Sequence, residues 1–129
     1  MYYCKNRNSL VTTTNGKVTE WKKEDSKWVV TSSFPLLHPI NRSLFSINET
    51  EEFICFGDHT GSMYIYHLDT GNLLRKLKHR QAKYEVRMCM FSPNPDNKIY
   101  QVGDSPHLLC WEYVDPKVIS EYENNKLSK

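Results

Sequence analysis

Hydrophobic and polar residues alternate through the middle of the chain with the two-residue period of a β-strand. In residues 57–71, GDHTGSMYIYHLDTG, the side chains of Met63 and Ile65 fall on one side and those of Ser62 and Tyr64 on the other. A helix would instead repeat its apolar positions every three or four residues. Glycine and aspartate at both ends favour chain reversal. The pattern predicts a strand between two turns, with Met63 and Ile65 facing a core and Ser62 and Tyr64 facing outward.

Units of this kind recur along the chain at a fixed spacing. The aromatic residue near the end of each unit is Trp21, Tyr66 or Trp111, and both intervals are 45 residues. A period of about 45 residues is typical of β-propeller blades, each of which is a sheet of about four strands. Strand-like stretches around the second and third aromatic units complete the four-strand order. The first unit is predicted to lack its inner strand.

The repeat divides the chain into predicted blades. We expect an incomplete first blade at residues 1–34, a second blade at 35–79, a third blade at 80–122 and a polar tail at 123–129. A closed propeller typically needs about four to eight blades, and a shorter stack exposes apolar blade faces. The sequence therefore predicts either a piece of a longer propeller or a chain that associates with copies of itself or with a partner. We expect poor solubility or oligomerisation when it is expressed alone.

The apolar phase of the predicted inner strands marks the core. The side chains predicted to be largely buried are Phe45, Ile54, Phe56, Ile65, Met90, Ile99, Val102 and Leu109. The four cysteines include no close CxxC pair, and three of them lie inside apolar strand-like runs. We therefore expect buried, reduced thiols at Cys55, Cys89 and Cys110.

These features resemble the WD-repeat β-propeller family, whose blades end the third strand near a Trp-Asp pair. Here the second position of that pair is Lys, His or Glu in the three units, so the dipeptide is degenerate. The 45-residue period, the Gly-Asp turns at 57–58 and 103–104 and the FSPNPDN turn carry the match. The resemblance implies an all-β chain that forms a partial propeller of about three blades, each a four-stranded antiparallel sheet.

The resemblance also implies structural roles for particular residues. In many such blades a histidine before the inner strand, the turn aspartate and the tryptophan join a buried hydrogen-bond network. In this sequence the residues that correspond to these structural blade positions are Trp21, Tyr66, Trp111, Asp58, Asp104 and His79. The network implied for the last blade joins His79, Asp104 and Trp111, and that of the blade before it joins His38, Asp58 and Tyr66 more loosely.

The segments FICFGDHTGSMYIYHLDTG and FSPNPDNKIYQVGDSPHLLCWEYVD are similar to the last blades of the embryonic ectoderm development (extra sex combs) family, the WD-repeat subunit of Polycomb repressive complex 2. That family reads trimethyl-lysine on histone tails with an aromatic cage, part of which is a Trp-Tyr pair before the inner strand. Asn41 and Arg42 occupy those positions here. Because an amide and a cation cannot replace aromatic faces, we expect a peptide-binding face at Asn41 and Arg42 without the usual cage.

The partners implied by this resemblance are other protein subunits, including a histone tail or a methyltransferase subunit. A WD-repeat adaptor of another complex is the alternative within the same fold. A propeller whose basic rim binds nucleic acid is the second alternative. Its candidate residues are Arg75, Lys76, Lys78, Arg80, Lys83 and Arg87. The formal net charge of the 129-residue chain is only +2, so we do not expect nucleic acid as the main partner.

The sequence lacks the motifs that other classes of function require. No stretch approaches the roughly 20 apolar residues of a membrane span, and the first residues lack the apolar run of a signal peptide. We therefore expect no membrane partner and an intracellular protein, and the Polycomb resemblance implies a nuclear rather than a cytoplasmic location. The sequence has no metal-ligand spacing of histidines, phosphate-binding loop or nucleophile motif. The prediction is a non-catalytic scaffold for protein–protein interaction, with no cofactor and no metal.

Overall fold

Eleven β-strands form the regular structure in the computed structural model, which describes residues 1–14, 16–36, 45–79, 85–93, 98–104 and 108–112. The strands make three antiparallel sheets in chain order. The first sheet contains β1 (Tyr2–Cys4), β2 (Ser9–Thr14), β3 (Lys17–Glu24) and β4 (Lys27–Pro35). The second contains β5 (Phe45–Ile47), β6 (Phe53–Gly57), β7 (Met63–His67) and β8 (Leu73–Leu77). The third contains β9 (Val86–Phe91), β10 (Lys98–Gly103) and β11 (Leu108–Glu112).

Neighbouring strands follow each other along the chain, so each sheet is a meander. The orders are β1-β2-β3-β4, β5-β6-β7-β8 and β11-β10-β9. This confirms the predicted all-β chain of consecutive antiparallel sheets, although only three strands of the third sheet lie within the described residues. Among those residues no helix is long and apolar enough to cross a lipid bilayer.

The first sheet corrects one prediction, because it has an inner strand. β1 is three residues long and pairs with β2 through Tyr3 opposite Leu10 and Cys4 opposite Ser9. A three-residue strand is too short to show a clear alternation of apolar and polar positions. Its backbone partners in β2 therefore identify it, whereas the sequence pattern does not.

The 45-residue period appears directly in the strand register. In each sheet one aromatic residue of the third strand lies opposite an aliphatic residue of the second strand; the pairs are Leu10 with Trp21, Ile54 with Tyr66, and Ile99 with Trp111. A β-bulge also recurs at this spacing, between Glu20 and Trp21 in one sheet and between Ile65 and Tyr66 in the next. The three sheets are therefore copies of one unit.

The second sheet is covered on both faces, although its alternating sequence pattern predicted only one buried face. Ile54 and Tyr64 join one core with the first sheet, whereas Cys55 and Ile65 join another core with the third sheet. The prediction that Ser62 and Tyr64 face outward was wrong, since both are buried. Alternation in a strand separates two faces, and here each face meets a neighbouring sheet.

The predicted core is half correct. Ile54, Phe56, Ile65 and Ile99 are buried, and Phe45 and Leu109 are half-buried. Met90 and Val102 were wrongly predicted, since they are exposed by 55% and 38%. They lie on the face of the third sheet that points away from the second, where no described residue covers them.

The cysteines also divide between buried and exposed positions. Cys55 is buried, Cys89 is half-buried, and Cys110 is exposed because it lies on the outer face of the third sheet. Cys4, which the sequence analysis did not place in the core, is buried between the first two sheets. All four are free thiols, and burial raises the pKa of Cys4 to about 11 and that of Cys55 well above its usual value.

Candidate functional site

The aromatic blade positions fill the wedges between sheets. Tyr66 is fully buried and contacts Phe34 of the first sheet, with 6.1 Å between ring centroids. Trp111 packs against the core between the second and third sheets. Trp21 occupies the same register position, but no sheet among the described residues covers its face of the first sheet. Two of the three aromatics therefore bridge to the preceding sheet, and the third points to where such a sheet would lie.

Gln101 is a structural residue that the sequence analysis missed. It is buried, accepts a hydrogen bond from Trp111 Nε1 at 3.0 Å, and donates from Nε2 to the carbonyl oxygen of Gly61 at 2.7 Å. It therefore connects the third sheet to a turn of the second. The signal was a polar residue two positions after Ile99, in the buried phase of β10. In the first sheet the corresponding indole, Trp21 Nε1, donates to Thr12 Oγ1 at 2.9 Å.

Asp58 organises the turn between β6 and β7. Its Oδ1 accepts hydrogen bonds from the backbone N–H groups of Thr60 and Ser62, both at 2.9 Å, and its Oδ2 accepts one from the Tyr64 hydroxyl at 2.9 Å. Burial raises the pKa of Asp58, but these hydrogen bonds outweigh burial and hold the pKa of this carboxyl below its usual value. Burial and the neighbouring carboxylate raise the pKa of Tyr64 to about 12. The turn is therefore built around a buried negative charge.

Replacing Asp58 with asparagine is expected to reduce the free energy of unfolding at pH 7 by about 1 to 3 kcal/mol, since hydrogen bonds to a charged group weaken. A carboxyl whose folded-state pKa is lowered contributes stability above its unfolded pKa, and that contribution is lost as the pH falls through the folded value. The deficit of Asp58→Asn should therefore shrink below about pH 4. Urea unfolding from pH 7 to pH 3 measures it.

The control for this experiment is Asp25→Asn, in the exposed turn between β3 and β4. Asp25 and Ser26 have φ angles of 47° and 66°, as both central residues of a type I′ hairpin turn do. Asparagine suits this conformation, so the control should change stability by less than about 0.5 kcal/mol. An Asp58→Asn deficit of equal size at pH 3 and pH 7 would contradict the assigned role.

Asp104 differs from Asp58 although both follow a glycine at a strand end. It is exposed, and its carboxylate pairs with Arg87 through Nε at 2.8 Å and Nη2 at 2.9 Å. His79 does contact Trp111, edge to face at 6.0 Å. The Trp111 indole N–H, however, donates its hydrogen bond to Gln101. The predicted network of His79, Asp104 and Trp111 was therefore wrong about the hydrogen-bond partner of the indole. The pairing of β9 with β10 has a bulge between Val102 and Gly103, just before Asp104, whereas the pairings of β6 with β5 and β7 have none before Asp58.

An ion-pair cluster joins the first two sheets at the end of the strands opposite to the Asp58 turn. Arg7 Nε lies 2.9 Å from the Glu20 carboxylate, and Arg7 Nη1 donates to the carbonyl oxygen of Glu51 at 2.9 Å. The Glu51 carboxylate accepts from the backbone N–H of Asn6 at 2.9 and 3.1 Å. Arg7 also pairs with Asp69. No local sequence pattern indicates this cluster, since its members are separated by up to 62 residues.

The described basic residues do not form one continuous positive surface. Arg75 and Lys76 are neighbours on β8, so they point to opposite faces of the sheet. Lys76 Nζ lies 5.9 Å from the centre of the Tyr64 ring, and Lys78 donates to the carbonyl oxygen of Thr60. Arg87 is paired with Asp104 and lies 3.5 Å from Glu85. Much of the positive charge predicted for the rim is thus engaged within the chain.

Several predicted site residues lie outside the described residues. These are Asn41 and Arg42 of the peptide-binding face, Arg80 and Lys83 of the basic rim, and His38. Within the described ranges, no three histidine, cysteine or acidic side chains form a group that could hold a metal ion.

At the two ends of the stack, one face of the first sheet and one face of the third sheet are not covered by any described sheet, and we call them open faces. The N-terminal open face belongs to the first sheet and carries the paired row Tyr3, Leu10, Trp21 and Val30. The C-terminal open face belongs to the third sheet and carries Met88, Met90, Tyr100, Val102 and Leu108, which line a groove of about 340 Å³. Met88 and Leu108 are 66% and 64% exposed. Exposed apolar patches of this kind commonly mark interaction sites.

Comparison with known proteins supports the fold at low sequence identity. No family model and no curated protein matches the sequence. Among solved structures, the "Structure of U3-55K" matches with a TM-score of 0.65 and 12% identity, over 85% of this chain and 36% of that chain. The "Crystal structure of RRP9 WD40 repeats" matches with a TM-score of 0.64 and 13% identity, over 85% and 35%. The chain thus spans about a third of these structures' length, and its three sheets have the fold of part of a WD-repeat β-propeller.

Proposed function

We propose that the chain is a non-catalytic scaffold that binds other proteins. The observation that carries this proposal is how its polar side chains are used. Asp58 holds a turn, Gln101 connects two sheets, and Arg7 joins the first sheet to the second. These polar side chains therefore stabilise the stack of sheets, and the loops and sheet faces are available for partners. Propellers present such surfaces for recognition, although a fold alone does not specify the ligand.

The finer proposal is a chromatin-repressor subunit of the Polycomb type, located in the nucleus. It rests on the sequence resemblance of the second and third blades to the embryonic ectoderm development family. The partners proposed on this basis are a methyltransferase subunit and a histone tail. A WD-repeat adaptor of another complex is the alternative.

Affinity purification of the whole chain from nuclear extract tests the scaffold proposal. We expect a small, reproducible set of protein partners that persists after nuclease treatment and at moderate salt. Binding that disappears with nuclease and falls steeply with added salt would instead indicate a nucleic-acid partner. The paired substitution Arg75→Glu and Lys76→Glu separates the two results, since it should weaken nucleic-acid binding and leave protein partners on other surfaces bound.

Histone peptide titration tests the Polycomb proposal. We expect the chain to show no preference for trimethylated over unmethylated lysine, because Asn41 and Arg42 replace two aromatic cage positions and Arg42 would repel a quaternary ammonium. Isothermal titration with matched peptides measures the ratio of the two affinities. The control is the double substitution Asn41→Trp and Arg42→Tyr, which restores the aromatic pair. A clear trimethyl-lysine preference of the unmodified chain, abolished by Phe34→Ala or Phe45→Ala, would contradict the prediction.

A further inference from the structure

We propose that the two open faces bind each other, so that the C-terminal open face of one chain packs on the N-terminal open face of a second copy. The inference concerns self-assembly and goes beyond the scaffold function. It rests on the fact that the chain already contains this kind of interface twice. Both internal interfaces join the outer face of one sheet to the aromatic row of the next.

The aromatic row of the second sheet shows how such a row is covered by a neighbouring sheet. Its paired residues are Ile47, Ile54, Tyr66 and Leu73. All four pack in the core against the first sheet. In the third sheet the equivalent row, which includes Ile99 and Trp111, packs against the second sheet. An aromatic row is therefore covered by the preceding sheet in both cases that the chain provides.

The same row in the first sheet has no covering sheet among the described residues. Tyr3, Leu10, Trp21 and Val30 occupy the register positions of the second-sheet row. Val30 is 51% exposed and Tyr3 is 49% exposed, whereas Ile47 and Tyr66 are buried. The row thus matches two buried rows in position and apolar character, and the surface that fits it is the outer face of a blade.

The C-terminal open face is such a surface. The residues that pair across it are Met90, Tyr100 and Cys110 in one row and Met88, Val102 and Leu108 in another. The equivalent rows of the second sheet include Cys55 with Ile65 and Gly57 with Met63. Cys55, Ile65 and Met63 pack against the third sheet. The C-terminal open face is therefore the counterpart of the surface that receives an aromatic row inside the chain.

The two faces also complement each other chemically. The groove on the C-terminal open face is lined by two methionines, which adapt their shape and make favourable sulfur contacts with aromatic rings. The N-terminal open face supplies the aromatic rings of Tyr3 and Trp21. The described sheets of two copies, joined through both pairs of faces, would form a ring of six sheets with twofold symmetry, within the range of about four to eight blades that propellers use.

Sedimentation of the purified chain, with face-specific substitutions, tests the proposal. We expect the unmodified chain to have the mass of two copies. Val30→Asp on one face and Leu108→Asp on the other should each raise the dissociation constant by about tenfold or more, because each would bury an unpaired carboxylate. The two variants mixed should pair, since one still has an intact C-terminal face and the other an intact N-terminal face.

The matched control is Val29→Asp, which changes the neighbouring residue of β4 on the opposite side of the strand. It should leave the assembly intact. A monomeric unmodified chain, a Val30→Asp variant that stays dimeric, or variants that fail to pair when mixed would each overturn the proposal. Circular dichroism checks that the variants remain folded.

Cross-linking of the unmodified chain gives a second measurement that needs no substitution. Lys98 pairs with Glu112 at the edge of the C-terminal open face, and Lys17 and Lys23 lie on the strand that carries Trp21, on the same side. In a mixture of ¹⁴N- and ¹⁵N-labelled chains, we expect mixed-isotope cross-links from Lys98 to Lys17 or Lys23. Mixed-isotope links from Lys98 to Lys98 instead would indicate a face paired with itself and overturn the proposal.

Discussion

Replacing Ile65 with alanine is expected to reduce the free energy of unfolding by about 2 to 4 kcal/mol. Ile65 is 1% exposed and lies in β7, opposite Cys55 of β6, in the core shared by the second and third sheets. The substitution removes buried apolar atoms and leaves a cavity, because the surrounding strands are held by sheets on both sides. Urea unfolding at a fixed protein concentration, followed by tryptophan fluorescence, measures the loss.

The control is Val29→Ala, which also shortens an aliphatic side chain in a strand. Val29 is 39% exposed and faces away from the N-terminal open face, so its loss should be below about 0.5 kcal/mol. An Ile65→Ala variant that unfolds with the stability of the unmodified chain would show that the second and third sheets are not packed at ordinary core density.

Replacing Gly57 with alanine is expected to destabilise the chain by about 3 kcal/mol, at the upper end of the range for overpacked cores. A Cβ at Gly57 would lie 2.3 Å from Val86 Cβ and 2.4 Å from Val86 Cγ1. Val86 cannot easily withdraw, because its backbone N–H donates to the carbonyl oxygen of Asp58 at 2.9 Å. The new methyl group would therefore force the third sheet away from the second. Thermal unfolding at matched concentration measures the effect.

A double-mutant cycle separates this clash from a general effect on β6. Val86→Ala alone should destabilise the chain by removing buried methyl groups, yet it should also make room beside residue 57. The double variant Gly57→Ala with Val86→Ala is then expected to be more stable than the sum of the two single effects predicts, by about 0.5 kcal/mol or more. Additive effects would contradict the assigned close approach of the two sheets at Gly57 and Val86.

The fold was predictable from the sequence because its signals are local. The placement of Trp21, Tyr66 and Trp111 at 45-residue intervals corresponds to equivalent register positions in three sheets. Turn residues and alternating apolar positions act over a few residues, so they survive the degeneracy of the Trp-Asp dipeptide. The short strand β1 escaped detection because its existence depends on pairing with β2.

The candidate site was less predictable, because similar sequences have different surroundings. Gly57-Asp58 and Gly103-Asp104 look alike, yet Asp58 accepts hydrogen bonds inside its own turn and Asp104 pairs with Arg87 on the surface. A bulge lies between Val102 and Gly103, directly before Asp104, and bulges bend a strand locally. The residues that connect sheets, Gln101 and Arg7, act on groups at least 40 residues away, which no local pattern reveals.

The sequence by itself determined the strand-and-turn order, the period and the aromatic positions, because backbone sterics and side-chain alternation are properties of neighbouring residues. Only the tertiary structure decided which phase of each strand is buried. Tyr64 is buried because the first sheet covers it, whereas Met90 and Val102 are exposed because no described sheet covers theirs. The burial of a strand face depends on whether another sheet lies about 10 Å away, and that depends on the stacking of the whole chain.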